Sequence, residues 1–283
     1  MTSPPLAAII LAAGKGTRMG SELAKVLHLL AGRPLVAHVI AACRAAGVAD
    51  CVCVVGWQRE AVQAVVEPLG ARCAVQDRQL GTGHAVLCAE PAVAGDEVLV
   101  LCGDAPLVDD ALLRRVLERH RQSGAACTAV AARLPDPTGY GRMLTGADGR
   151  LAAIVEHKDA TPAQRAIDLV NSGLYCFRRA DLFARLRQVR PANAQGEYYL
   201  TDVVAMLARD GAGVEAASGR LSGRALFVLD TPASHYLVAT RGGGLWLVDA
   251  DAPGAALTPL STIDHTRRIA ELYRQLVIKE TSA

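Results

Sequence analysis

Two glycines and three cations near the N-terminus have the types and spacing to hold phosphate: Gly14-Lys15-Gly16-Thr17-Arg18, with Lys25 a little further on. Gly14 and Gly16 carry no Cβ, so the backbone there can come close to a ligand. Successive N–H groups in such a loop can form an anion-binding nest, and Lys15, Arg18 and Lys25 add positive charge. The loop follows an apolar run, Leu6 to Ile10, that reads as a buried strand. The same residues also suit an ordinary strand-to-helix turn. Two well-known motifs are excluded. The Walker pattern needs Gly, four residues, then Gly-Lys-Ser/Thr; the dinucleotide fingerprint needs Gly-x-Gly-x-x-Gly, whereas three residues separate Gly16 from Gly20.

Further along, Gly103-Asp104-Ala105-Pro106 places a carboxylate just past an apolar run. Such a carboxylate can hold Mg²⁺, which takes one or two carboxylates together with phosphate oxygens and waters; it can equally cap a turn. The stretch Gln76-Asp77-Arg78-Gln79-Leu80-Gly81-Thr82-Gly83-His84-Ala85 combines an amide able to pair with a base edge, close-approach glycines and a Thr that can cap a helix start. Tyr140-Gly141-Arg142, Glu156-His157-Lys158 and Asn171-Ser172-Gly173 are polar islands beside apolar runs. Carboxylate, amide and open backbone together suit sugar hydroxyls; singly, each also suits a turn or a solvated strand end. His157 is assigned no catalytic role.

The elements that must position these groups follow from short apolar runs alternating with helical patterns. Strands are expected at 7–12, 51–55, 72–75, 97–102 and 126–134. Helices are expected at 34–46, 59–69, 83–89 and 109–122. This alternation argues for an α/β fold with a largely parallel sheet and helices on both faces. Ligands then sit beyond the carboxyl ends of the strands, and the glycine loop, Gln76 and Gly103-Asp104 all follow strand ends. From Pro135 to Arg150 the chain reads as a loop or hairpin; 151–156 and 169–177 read as strands, 180–188 and 199–208 as helices. After Gly211 an antiparallel pair is expected between 225–229 and 245–248, and a closing helix at about 264–277. The 283 residues suit one large α/β domain with an appendage, or two small domains. A net charge of +2 gives no electrostatic case for nucleic-acid binding. None of the eight cysteines sits in a CxxC pair, so neither zinc nor a disulfide framework is expected. The N-terminal apolar run is too short to span a membrane and has no basic residues ahead of it, and a cytoplasmic location is expected.

Taken in order, the motifs resemble the uridylyltransferase (pyrophosphorylase) domain of the bacterial bifunctional enzyme that makes UDP-N-acetylglucosamine. They are Leu11 to Met19, Lys25-Val26-Leu27-His28, Gln76 through Ala85, Gly103-Asp104-Ala105-Pro106-Leu107, Pro137 through Arg142, Ile154 through Ala160, Asn171-Ser172-Gly173 and Gln195 through Asp202. The resemblance covers about residues 6–210 and implies a Rossmann-like nucleotidyltransferase fold, a mostly parallel mixed sheet flanked by helices. It implies that UTP and N-acetylglucosamine 1-phosphate give UDP-N-acetylglucosamine and pyrophosphate, with Mg²⁺ as cofactor. Arg18 and Lys25 would neutralise the phosphates, and Asp104 would hold Mg²⁺. Leu11, Ala12, Ala13, Gly14, Gln79 and Gly103 would surround the nucleotide, with Gln76, Gly81 and Thr82 reading uracil. Gly141, Glu156 and Asn171 would take the sugar.

Three positions depart from the family pattern. Cys102 stands where a Tyr often precedes Gly-Asp, and Ala24 stands where a Pro often precedes the Lys. The family's second metal ligand, an Asn after the Tyr-Tyr-x-Thr-Asp helix, has no counterpart: the chain has only Asn171 and Asn193. Asp264, in Thr262-Ile263-Asp264-His265-Thr266, occupies a similar local context and is the candidate second ligand; an N-cap Asp is the alternative. Residues 1–210 are expected to form the core and 211–283 a divergent extension packed on it. No hexapeptide pattern of the acetyltransferase half occurs, so a monofunctional protein, monomeric or weakly oligomeric, is expected. A related enzyme of different sugar or base specificity, or a non-catalytic UDP-sugar-binding protein, are the alternatives.

Overall fold

A computed structural model describes residues 6–16, 21–146, 148–218, 228–229, 235–239, 245–249, 255–260 and 269–274. The chain forms two compact units, Met1–Gly219 and Arg220–Ala283.

In the first unit, β1 (Leu6–Ala12) leads through a 3₁₀ turn at Lys25–Leu27 to a two-residue ribbon, β2 (Leu29–Leu30) and β3 (Arg33–Pro34). Helix α1 (Leu35–Ala45), β4 (Asp50–Val55), α2 (Arg59–Val66), β5 (Arg72–Val75) and α3 (Thr82–Cys88) follow. Then come β6 (Glu97–Cys102), α4 (Asp110–Ser123), β7 (Cys127–Arg133), β8 (Arg142–Thr145) and β9 (Leu151–Val155). A short α5 (Pro162–Arg165), the long β10 (Leu169–Arg178), α6 (Arg179–Leu186), α7 (Thr201–Arg209) and β11 (Val214–Ser218) complete it.

The sheet runs β11-β7-β10-β6-β1-β4-β5, with the β8–β9 hairpin attached through β10. The β5-β4-β1-β6 block is parallel, and β11 is parallel to β7. Between them β10 runs antiparallel to both β6 and β7. Central strands covered on both faces need apolar side chains throughout, which is why β1 reads Leu-Ala-Ala-Ile-Ile-Leu-Ala. Ala7 and Ile9 pack on one side with residues of α3, α6 and α7. Ala8, Ile10 and Ala12 pack on the other with α1, α2 and α4. Local chemistry sets the helix ends. Asp109 caps α4 by accepting from Leu112 N at 2.7 Å, and Gly124 closes it in the left-handed region at φ 62°.

The chain runs β1, β4, β5 to one side and then returns to place β6 on the other side of β1. Such a reversal leaves a crevice outside the carboxyl ends of the two central strands, because the connecting helices diverge to opposite faces.

The expected boundary at 210 falls short of the sheet. β11 pairs with β7 over Val214–Ser218, because an edge strand there satisfies the backbone of β7. In the second unit β12 (Val228–Leu229) pairs with β16 (Ile269–Arg274), which also pairs with β15 (Ala255–Leu260), while β13 (His235–Ala239) pairs with β14 (Leu245–Asp249). Two expectations are corrected here. The segment 245–248 pairs with 235–239 rather than with 225–229, since closing the short 240–244 connection costs less chain entropy. The helix expected at 264–277 is a strand over Ile269–Arg274, where ladder partners on both sides override a helical pattern; its remaining residues lie outside the described ones.

Candidate active site

A cavity of about 490 Å³ opens at the predicted crevice. Three strand ends contribute to it. Leu11 and Ala12 end β1, with Ala13 and Gly14 just beyond; Gln76 and Gln79 follow β5; Cys102 ends β6 and Asp104 follows it. Gly81, Thr82 and Ala85 from the start of α3 and Gly16, Lys25 and Val26 from the first loop complete that side. Gly103 sits between two lining residues and donates its N–H to Leu11 O at 2.9 Å, tying the end of β6 to that of β1.

The phosphate side holds an ion pair. Lys25 Nζ meets the Asp104 carboxylate, with side chains 42% and 23% exposed, so both charges remain within reach of a ligand. Gln58, itself left-handed at φ 49°, accepts from Ala24 N at 2.8 Å and so fixes the residue before Lys25. At Gly16, with φ +69°, a Cβ would lie 2.6 Å from Lys25 Cβ; the loop can turn past the lysine only without a side chain. Gly14 differs, since a Cβ there meets nothing within 4 Å and its φ is ordinary. Lys15 is engaged elsewhere, stacking over the Trp57 ring at 4.4 Å.

The Gln76–Ala85 segment is clamped from behind by residues the sequence motif carried without a role. Gly83 N donates to Tyr198 O at 2.7 Å, Tyr198 N to Leu80 O at 2.8 Å, and Leu200 N to Thr82 Oγ1 at 3.1 Å. Thr82 therefore does not cap its own helix; its hydroxyl holds the segment at Leu200. Gly81 sits at φ +112°, where a Cβ would lie 2.6 Å from Tyr198 O, so that glycine is demanded by packing. Gln76 is 3% exposed, and its Nε2 donates to Gly81 O at 3.1 Å and lies 2.9 Å from His84 Nδ1. Gln79 lies over Gly56, with Nε2 2.7 Å from where a Cβ would be.

Gly141, Glu156 and Asn171 come together outside the lining of this cavity. Asn171 N donates to Gly141 O at 2.9 Å, and a Cβ on Gly141 would lie 3.4 Å from both Glu156 carboxylate oxygens. Asn171 Nδ2 donates to the Tyr175 hydroxyl at 2.6 Å and Oδ1 accepts from Gly173 N at 3.1 Å, which holds a bulge in β10. Each end of the amide keeps one further bonding position for a ligand. Burial raises the Glu156 carboxyl above its ordinary range, against the opposing hydrogen bond donated by Thr201 Oγ1 at 3.2 Å. The bulge reaches the cavity at Cys102: a Cβ on Gly173 would lie 3.0 Å from its Sγ. Burial pushes the Cys102 thiol up to about 11, so it is un-ionised at neutral pH and a poor nucleophile. All eight cysteines are free.

Arg18 and Asp264 lie outside the described residues. Among the described residues no cluster of three His, Cys, Asp or Glu converges as a metal cage, and none of their helices is long and apolar enough to cross a membrane. Sequence reading missed Glu197, which lines the cavity beside Gly81. Its signal was the Gln195–Asp202 motif, whose spacing gives no hint that it folds back on residues 80–83.

A phosphate-type loop, a buried amide and an acid–base ion pair around the crevice of a parallel sheet define a nucleotide-handling α/β domain. Residues 8–205 match the MobA-like NTP transferase domain, and the chain belongs to that family. Among known proteins it is 50% identical over 213 residues to the bifunctional protein GlmU of Pelotomaculum thermopropionicum, covering 75% of this chain and 46% of that protein. It is 51% identical over 210 residues to that of Pelobacter propionicus, covering 73% and 46%. The chain thus spans about half the length of these relatives. A solved Bacillus anthracis structure described as a glucose-1-phosphate thymidylyltransferase shares the fold with a TM-score of 0.65 at 19% identity, over 87% of this chain and 89% of that one.

Proposed function

We propose that the protein is a nucleotidyltransferase that joins UTP and N-acetylglucosamine 1-phosphate into UDP-N-acetylglucosamine, releasing pyrophosphate. The observation that carries this reading is the cavity, in which the Gly14 loop, Gln76 and the Lys25–Asp104 pair converge from three strand ends. The GlmU relatives, which match over their own partial length, support the choice of nucleotide and sugar.

In this reading a phosphate oxygen of the sugar phosphate attacks the α-phosphorus of UTP in line, and the bond to the pyrophosphate oxygen breaks. No covalent enzyme intermediate is needed, so the chain contributes positioning and charge stabilisation. The backbone from Leu11 to Gly14, with Gly103, surrounds the nucleotide, and Gln76, Gln79, Gly81 and Thr82 hold the base. Lys25 neutralises the reacting phosphates and Arg18 the leaving pyrophosphate. Gly141, Glu156 and Asn171 bind the sugar. Asp104 is a partly exposed carboxylate facing the cavity, which suits Mg²⁺ because that ion takes only one or two carboxylates beside phosphate oxygens. Asp104, with Asp264 as second ligand, would hold Mg²⁺, which supplies charge neutralisation on the triphosphate. Residues 211–283 are assigned no part in this step beyond Asp264.

The test is pyrophosphate release from a panel of nucleoside triphosphates and sugar 1-phosphates with and without Mg²⁺. Turnover is expected with UTP and N-acetylglucosamine 1-phosphate. Turnover with another pair would change the specificity, and UDP-sugar binding without any turnover would make the protein a binding module.

A further inference from the structure

Gln76 is 97% buried in the wall of the cavity, and the polar atoms around it decide which end of its amide faces the ligand. Its Nε2 lies 3.1 Å from Gly81 O, and a backbone carbonyl can only accept. The NH₂ end therefore points at Gly81. The same nitrogen lies 2.9 Å from His84 Nδ1, so its second hydrogen falls on that ring nitrogen, which must be the unprotonated one. The ring proton then sits on Nε2, where the Cys88 sulfur, 3.8 Å away, is a weak acceptor. Both amide hydrogens are used, and no described residue donates to Oε1. An acceptor-only group is thus presented to the base.

We propose that His84 is a positioning residue for base selection, locking the Gln76 amide so that the site accepts bases with a ring N–H and rejects cytosine. Uracil offers N3–H to Oε1; cytosine offers a bare N3, and two acceptors would face each other. The inference deepens the UTP reading and rests on it. Without His84, the Gly81 carbonyl alone orients the amide, and rotation about its last torsion brings NH₂ toward the base for the loss of one hydrogen bond. That corresponds to roughly a tenfold loss of discrimination.

Two measurements test it. The first compares kcat/KM for UTP and CTP in the wild type, H84L and H84N. H84L should lower the UTP-to-CTP ratio about tenfold, with the change carried by KM. H84N, whose amide oxygen can stand near the Nδ1 position, should restore most of the ratio. An H84L protein that keeps the wild-type ratio, or an H84N protein that fares no better, overturns the proposal. The second is ¹⁵N NMR of the histidine rings of the wild-type chain, which does not depend on a variant folding. A neutral His84 with its proton on Nε2 is expected, and a proton on Nδ1 overturns the proposal. If the wild type binds neither UDP nor CDP in calorimetry, the UTP reading itself fails, and the ring tautomer still decides the role of His84 in holding Gln76.

Discussion

Gly14 and Gly81 both line the cavity, yet the structure gives them opposite reasons to be glycine, and alanine separates the two. At Gly14 a Cβ meets nothing within 4 Å and φ is ordinary, so Gly14→Ala should change stability by no more than about 0.5 kcal/mol. If the nucleotide backbone lies against that loop, the added methyl intrudes on it, and overpacking of this kind costs about 1–3 kcal/mol. UTP affinity should then fall by roughly ten- to a hundredfold. At Gly81 the methyl meets Tyr198 O at 2.6 Å on a backbone with φ +112°. The strained backbone costs about 1–3 kcal/mol. Displacing the segment also threatens the bonds between Gly83 N and Tyr198 O and between Tyr198 N and Leu80 O, each worth about 0.5–1.5 kcal/mol. Together that is about 2–6 kcal/mol, a drop in Tm of roughly 5–20 °C for a chain of this size. Thermal melting by circular dichroism and calorimetric titration with UTP read the two effects separately. A Gly14→Ala protein that binds UTP like the parent, or that melts as early as Gly81→Ala, would refute the assignment of the first loop to the nucleotide.

Asp104→Asn should leave the melting temperature nearly unchanged, because an ion pair this exposed contributes at most about 1 kcal/mol, while pyrophosphate release falls by roughly a hundredfold or more. Asp264→Ala should raise the Mg²⁺ concentration for half-maximal rate by about tenfold; an unchanged requirement removes Asp264 from the metal site. Glu156 is held above its ordinary range by burial, so the folded state binds its proton more tightly than the unfolded chain does. Its contribution to stability is therefore present at low pH and declines as pH rises through the raised value. Glu156→Gln should raise Tm relative to the wild type at neutral pH, with the gain vanishing below the ordinary carboxylate range, and should raise KM for the sugar phosphate; equal melting curves at both pH values would contradict the burial effect. Gln58→Ala keeps a left-handed backbone and leaves Ala24 N without its acceptor, and should cost about 1–3 kcal/mol in denaturant unfolding while raising KM for UTP.

Much of the fold was legible because its signals are local. The strands β1, β4, β5 and β6 match expectation to within a residue; for the central β1, β4 and β6 this is because strands covered on both faces must be largely apolar. Asp109 and Gly124 mark the ends of α4 by their own hydrogen bonding and dihedral freedom. The second unit was not legible in this way: 245–249 pairs with its neighbour 235–239 rather than with 225–229, and 269–274 is a strand because it has ladder partners at 228–229 and 255–260, which its own helical pattern does not encode. Gly14, Gln76 and Asp104 were readable as candidates because each is a glycine, amide or carboxylate just past an apolar run, whereas Leu11, Ala12 and Ala13 entered only through the resemblance of the motif.

By itself the sequence determined the α/β alternation, the strand ends at which ligand-binding groups had to sit, and the set of residue types available there. Only the tertiary structure decided what each of those residues does. Gly14 and Gly81 are the same residue type in similar contexts, but one faces open space and the other the Tyr198 carbonyl. Thr82 reads as able to bond or to cap, and the structure uses its hydroxyl to hold Leu200 N, 118 positions away along the chain. Gln76 reads as an amide able to pair with a base edge, and the structure buries it with both of its hydrogens committed. The reason is that hydrogen bonds and van der Waals contacts depend on distances of a few ångströms between segments remote in sequence. The pattern of residue types fixes where such groups are available, and folding alone fixes which of them meet.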